Sequence, residues 1–264
     1  MAVLMRIYAA DDHIMVLTDA VDASFHRHLY VQLSISLDKE FYVEVDGTRF
    51  LCNGIVLDSQ LEHGMDSNSG RQLFLLADRA SDLAASLRAA FLEREGERYA
   101  LLLGETGRRI GQLLDREPEL WEQAGNYPQL LSRVLELLGI VDRTTVNRRI
   151  SDERVRQTVK ALRTGRLSGL TMADLARRTF LSPSRLSHLF KAETGMPLGS
   201  YMALHKLESA MQHLLEHGNA TEAAMEAGFD SPSHFAAASK KILGMSATSI
   251  RRDSVFLKVS LFAP

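Results

Sequence analysis

The stretch TMADLARRTFLSPSRLSHLFKAETG, residues 171–195, decides the fold of the C-terminal half. It reads as two short helices meeting at a tight turn. Thr171 is placed to N-cap the first helix, and Asp174 three residues on completes a variant of the capping box. Leu175 and Ala176 face inward, and the helix runs out near Phe180. Ser182 caps a second helix with Pro183 at its first position, where a missing N–H costs nothing. Gly195 closes that helix, and Lys191 in the last turns complements its dipole. Leu186, Leu189 and Phe190 form one narrow apolar stripe. The opposite face carries Ser184, Arg185, Ser187, His188 and Lys191. A helix anchored on one side, with a short polar and basic outer face, is what a helix-turn-helix lays into a DNA major groove. An ordinary amphipathic helical hairpin has the same local pattern.

A second copy lies downstream. Ser231-Pro232-Ser233-His234-Phe235 falls on Ser182-Pro183-Ser184-Arg185-Leu186 at an offset of 49, and Gly244 falls on Gly195 at the same offset. The capping pairs Thr171/Asp174 and Asn219/Glu222 are offset by 48, so the second turn is one residue longer. Between the copies, residues 198–216 read as one helix with Tyr201, Leu204, Leu207, Met211 and Leu214 on its buried face. Nineteen residues span about 28 Å, against about 34 Å for a DNA turn. A rod of that size can deliver two recognition helices to successive major grooves.

Two such units on one long helix resemble the DNA-binding domain of the AraC/XylS family of transcription regulators. The matching segments are LARRTFLSPSRLSHLFKAETGMPLGSYMALHKLESAMQHLL and AAMEAGFDSPSHFAAASKKILGMSATSIRR. The second unit departs from the family pattern at three positions. Ser239 stands where an aromatic is usually buried, Ala247 where proline is usual, and Ile250 where tyrosine is usual.

Charge is distributed accordingly. Residues 1–100 carry 9 Lys/Arg against 16 Asp/Glu, residues 101–150 carry 7 of each, and residues 151–264 carry 15 against 10. The half with the repeat is therefore the basic half, as phosphate contacts require. Cys52 is the sole cysteine, so one chain can build neither a disulfide framework nor a cysteine zinc site, which fits a reducing cytosol. No apolar run approaches about 18 residues and no signal-peptide pattern opens the chain, so the expectation is a soluble cytoplasmic protein with no membrane partner.

Residues 1–80 read as short strands: VLMRIY (3–8), HIMVLT (13–18), YVQLSIS (30–36), FYVEVD (41–46), GIVLD (54–58) and QLFLLA (72–77). Phe41, Val43 and Val45 alternate toward one side, and Asp46-Gly47 offers a hairpin turn. The expected architecture is α+β and multidomain: a small N-terminal β-barrel or jelly roll with helices, then an all-α double helix-turn-helix domain. In the AraC/XylS family a cupin-like sensor domain often occupies the first position, and His26-x-His28 with the later His63 is similar to its signature. Cupin enzymes hold metals through such groups, whereas the family's regulators usually keep the scaffold without a catalytic metal. The reading is accordingly no metal and no cofactor, with His26, His28 and His63 as rim or core residues and the only metal candidates.

From residue 81 the period becomes helical. SDLAASLRAAFLERE places Leu83, Leu87, Ala90 and Phe91 on one stripe, ALLLGETGRRIGQLL follows, and YPQLLSRVLELLGIV places Leu130, Val134, Leu137 and Leu138 on another. Trp121 sits in a loop-like stretch as a cover residue. The expected division is a sensor β-domain over 1–80, a helical packing or dimerisation segment over 81–140 and a linker over 141–151. The DNA-binding domain follows over 152–254, with units 171–195 and 219–244, and a tail over 255–264 ends the chain.

On the first recognition helix Ser184, Ser187 and His188 point to base edges by position. On the second the equivalent positions are Ser233, Ala236 and Ala237, where alanine can touch only a thymine methyl. Arg178, Arg185, Lys191, Lys240, Lys241, Arg251 and Arg252 are placed for phosphates, which position without specifying. The functional expectation is a bacterial-type, sequence-specific, non-enzymatic transcription regulator. Its expected partners are double-stranded DNA, RNA polymerase, a second copy of the chain and a small-molecule effector. Two alternatives remain open at this level: a cupin-type metalloenzyme with a helical appendage, and a protein-interaction module that kept the fold without DNA binding.

Overall fold

A computed structural model of the chain describes residues 5–19, 23–65, 70–92, 96–140, 150–164, 167–252 and 254–259. Its contacts divide the chain into two units, 1–147 together with 252–264, and 148–251. Residues 141–149 of the expected linker lie outside the described residues.

In the first unit the strands are β1 (Met5–Ala9), β2 (His13–Thr18), β3 (Ala23–His26), β4 (Tyr30–Ser36), β5 (Phe41–Val45), β6 (Thr48–Cys52), β7 (Gly54–Leu57), β8 (His63–Met65) and β9 (Gln72–Asp78). There follow α1 (Asp82–Phe91), β10 (Tyr99–Leu102), α2 (Thr106–Arg116), α3 (Glu119–Glu122) and α4 (Tyr127–Leu137), and the chain returns as β11 (Ser254–Lys258). The β5–β6 hairpin forms as its sequence demands: Val45 faces Thr48, and Asp46 and Gly47 both take positive φ, 45° and 80°. Two positive φ values in a two-residue loop make the turn whose twist matches the flanking strands. Phe41, Val43 and Val45 are all buried.

Seven strands pair in the order β10-β7-β4-β9-β2-β1-β11, and four in the order β3-β8-β5-β6. Both sheets have free ends among the described residues, so the barrel alternative is corrected to two open sheets. The helical stripes close over the larger sheet. Val31, Leu33, Ile35 and Leu75 share one core with Leu83, Leu87, Ile110, Leu130, Leu131 and Val134. Phe91, Leu137 and Leu138 pack at its margin, while Ala90 stays exposed.

Three expectations change. The run YALLL is not the start of a helix: Tyr99–Leu102 pairs antiparallel with β7, Leu101 facing Ile55, and Gly104 at φ 106° ends it. A short apolar run fits either period, and the available edge of β7 decides it. Residues 255–258 are not a loose tail either. They pair parallel to β1, Met5 facing Ser254 through Ala9 facing Lys258, and Val259 joins the core. Trp121 lies in α3 rather than a loop. Its Nε1–H donates to the Leu114 carbonyl at 3.0 Å and the Arg6 guanidinium sits 4.8 Å from its ring, so it does cover the core.

The second unit is helical: α5 (Glu153–Thr164), α6 (Met172–Arg178), α7 (Pro183–Thr194), α8 (Leu198–His217), α9 (Ala220–Glu226), α10 (Pro232–Leu243) and α11 (Ala247–Arg252). The connecting helix α8 has twenty residues, entered at Pro197 and closed by Gly218 in the left-handed conformation. Tyr201, Leu204, Leu207, Met211 and Leu214 are buried along it, and His205 joins them. Both α7 and α10 pack against it.

Candidate nucleic-acid interface

The first helix-turn-helix is pinned by its caps. Asp174 N–H donates to Thr171 Oγ1 at 3.2 Å, and Thr171 N–H donates to Asp174 Oδ2 at 2.8 Å. The Thr171 hydroxyl also donates to the Asp174 carboxylate, and this bond, with that from the Thr171 N–H and with Arg177 beside them, holds the Asp174 carboxyl down at about 2. Arg177, although exposed, is therefore committed to Asp174. Helix α7 starts with Arg185 N–H donating to Ser182 Oγ at 3.2 Å and ends with Gly195 at φ 74°. Leu186 and Phe190 are fully buried, and the Phe190 ring lies 5.2 Å from that of Tyr201 on α8. Glu193 near the C-terminal end of α7 accepts from the backbone N–H and hydroxyl of Ser151 at 2.6 and 2.8 Å. That ties the chain entering α5 to the recognition helix.

The second unit repeats this construction with differences at its first cap and in its turn. Asn219 Oδ1 accepts from Thr221 and Glu222 N–H groups at 3.0 and 3.2 Å, and α10 is capped by Ser231 Oγ and closed by Gly244 at φ 68°. Only the first unit has the reciprocal box. The two turns match in hydrogen bonding. Phe180 and Leu181 N–H groups donate to Arg177 and Ala176 carbonyls, while Gly228 and Phe229 N–H groups donate to Met225 and Ala224 carbonyls. Each pair is offset by 48, so the extra residue of the second unit is Asp230. Ser239 replaces a large side chain without leaving an orphan: it is fully buried, and its hydroxyl donates to the Met245 carbonyl at 2.9 Å. Ala247 and Ile250 are buried as well.

The outer faces are open. Ser184, Arg185, His188 and Lys191 are exposed and Ser187 is half-buried; Ser233, Ala236, Ala237, Lys240 and Lys241 are exposed, as are Arg178, Arg251 and Arg252. Each unit thus groups most of its candidates along one helix, α7 or α10, while Arg178 ends α6 and Arg251 and Arg252 end α11. One exposed residue went unselected in the sequence: His234 occupies the register of Arg185, beside Asp230 at 3.3 Å and edge-on to Phe229. The offset of 49 was the signal that could have found it. The sole thiol, Cys52, has no part in a site: it is fully buried, and burial pushes it up to about 11.

Comparison with known proteins agrees with this geometry. Residues 175–253 match a family described as a helix-turn-helix domain. The chain is 23% identical over 236 residues to a probable transcriptional regulator, LumQ, of Photobacterium leiognathi, covering 85% of this chain and 90% of that protein. Among solved structures, an apo form of a single-residue variant of ToxT from Vibrio cholerae shares the fold with a TM-score of 0.58 at 11% identity, over 91% of this chain and 97% of that one. Unsaturated-fatty-acid-bound wild-type ToxT does so with a TM-score of 0.54 at 12% identity, over 90% and 94%. Among the described residues no helix is long and apolar enough to cross a membrane. Residues 175–253 are thus a helix-turn-helix domain, and the chain is a DNA-binding transcription regulator similar to AraC-type regulators.

Proposed function

We propose that α7 and α10 enter successive major grooves on one face of the duplex, and that the first unit discriminates bases while the second chiefly anchors. The observation that carries this is the repeated helix-turn-helix with matched caps, whose two outer faces differ in chemistry. Ser184, Ser187 and His188 offer donors and acceptors to base edges; Ser233, Ala236 and Ala237 offer one hydroxyl and two methyls. Arg178, Arg185, Lys191, Lys240, Lys241, Arg251 and Arg252 contact phosphates and set register. In this reading the chain is not an enzyme and works in the cytoplasm with RNA polymerase. The N-terminal unit carries the response to a small-molecule effector, and the surface of the 81–140 segment joins two copies. That ToxT, which shares the fold, has been solved with an unsaturated fatty acid bound supports a small-molecule effector.

In vitro selection of binding sites followed by affinity measurement tests the division of labour. His188→Ala costs about 1–3 kcal/mol and blurs preference at one or two base positions, whereas Lys240→Ala weakens all sequences alike and lowers the salt slope by about one. Sequence-specific losses as large from Ala236 or Ala237 substitution contradict it.

A further inference from the structure

Three histidines far apart in sequence converge in the first unit. His26 at the end of β3 faces His63 at the start of β8 across the strand pair, and His28 follows in the connection to β4. Their ring centroids lie 4.3 Å (His26–His63), 5.0 Å (His28–His63) and 5.3 Å (His26–His28) apart, and all three side chains are buried. Each offers a donor nitrogen such that all three lie within 4.8 Å of one another, and no other such group occurs among the described residues.

The hydrogen bonds around the rings fix which nitrogens are bare. His26 Nδ1–H donates to the Ser24 carbonyl at 2.8 Å and His63 Nδ1–H to the Leu61 carbonyl at 3.0 Å. A carbonyl only accepts, so both rings keep their lone pair on Nε2. Gln32 Nε2 donates to Ser34 Oγ at 2.8 Å, which turns its Oε1 to accept from His28 Nε2–H at 2.7 Å and leaves the His28 lone pair on Nδ1. His28 Nδ1 and His63 Nε2 are buried without a hydrogen-bond partner. Burial, with the mutual repulsion of the rings for His28 and His63, lowers all three proton affinities, His63 to about 4. At neutral pH the cluster therefore presents three neutral imidazoles, each oriented by an outer hydrogen bond, as ligating histidines are. As plain core filling, such unmade lone pairs would only cost stability.

We propose that His26, His28 and His63 bind a first-row divalent transition ion of the zinc class, as a three-nitrogen site with an open coordination position. Three imidazoles without carboxylate or thiolate suit such ions and not the oxygen-seeking Ca²⁺ or Mg²⁺. Tetrahedral ligands at about 2.0–2.1 Å place nitrogens about 3.3 Å apart, so modest ring rotation closes the set. The site is independent of the DNA reading, and its test reads metal alone.

The full chain, purified without a histidine tag and stripped by chelator, is dialysed against micromolar Zn²⁺ and titrated with Co²⁺. The expected result is one bound equivalent and an intense visible Co²⁺ spectrum of low coordination number. Both are lost on pairwise His26→Gln/His63→Gln substitution and kept on His213→Gln/His217→Gln substitution, which removes two histidines of α8 that lie beside each other. Gln32→Leu, which removes no ligand, weakens binding about 10–100-fold. Sub-stoichiometric zinc with a weak octahedral Co²⁺ spectrum on the unsubstituted chain overturns the proposal, whatever the variants do. So does binding that follows His213 and His217 instead.

Discussion

Phe180 is the residue most at odds with its place. It takes φ 54° at the turn between α6 and α7, and its ring is 97% exposed. The equivalent position of the second unit holds Gly228 at φ 78°, with the same hydrogen bonds around it. The left-handed conformation costs a residue with a Cβ about 1–2 kcal/mol, part of which glycine returns by widening the unfolded ensemble. Since the exposed ring contributes almost no burial, Phe180→Gly raises the stability of the helical unit by about 0.5–1 kcal/mol in denaturant unfolding. A loss of stability contradicts this assignment of strain. In the sequence Phe180 marked only the end of a helix; the 48-residue offset to Gly228 held the information but needed the structure to give it meaning. Ser239 is the reverse case. The departure from an aromatic was legible, while its repair by the Met245 carbonyl was not, because that bond depends on where the next turn folds back.

At the level of elements, what was legible followed from local chemistry. Thr171 with Asp174, Ser182-Pro183 with Gly195, and Asp46-Gly47 each act on nearby backbone, and each reads out in the structure as written. What was not legible depended on pairing at a distance. β10 exists because β7 offers an edge, β11 because β1 does, and the histidine cluster because β3 meets β8. The capping interpretation makes a paired prediction. Ser182→Ala and Ser231→Ala each cost about 1 kcal/mol of stability in the helical unit, and replacement by Asp or Asn restores most of it. Equal stability of the alanine and parent proteins in thermal melts contradicts it.

Across the whole molecule the chain leaves the first unit before residue 148 and re-enters it after residue 251, so the DNA-binding unit is an insertion between two segments that fold together. Leu257 and Val259 bring apolar burial with β11, worth about 1.5–3 kcal/mol for a fully buried side chain. Deleting residues 253–264 therefore lowers the stability of the first unit by about 2–4 kcal/mol and bares the edge of β1; an unchanged denaturation midpoint contradicts the parallel pairing. The central claim concerns the other unit, where a twenty-residue rod links two capped helix-turn-helix units with open outer faces. High-resolution footprinting of the full chain on a selected site, at two or more salt concentrations, tests it most directly. The account predicts two protected major-groove patches on one face, centred about 10 base pairs apart, with affinity falling steeply as salt rises. A single protected patch, or binding indifferent to salt, contradicts it.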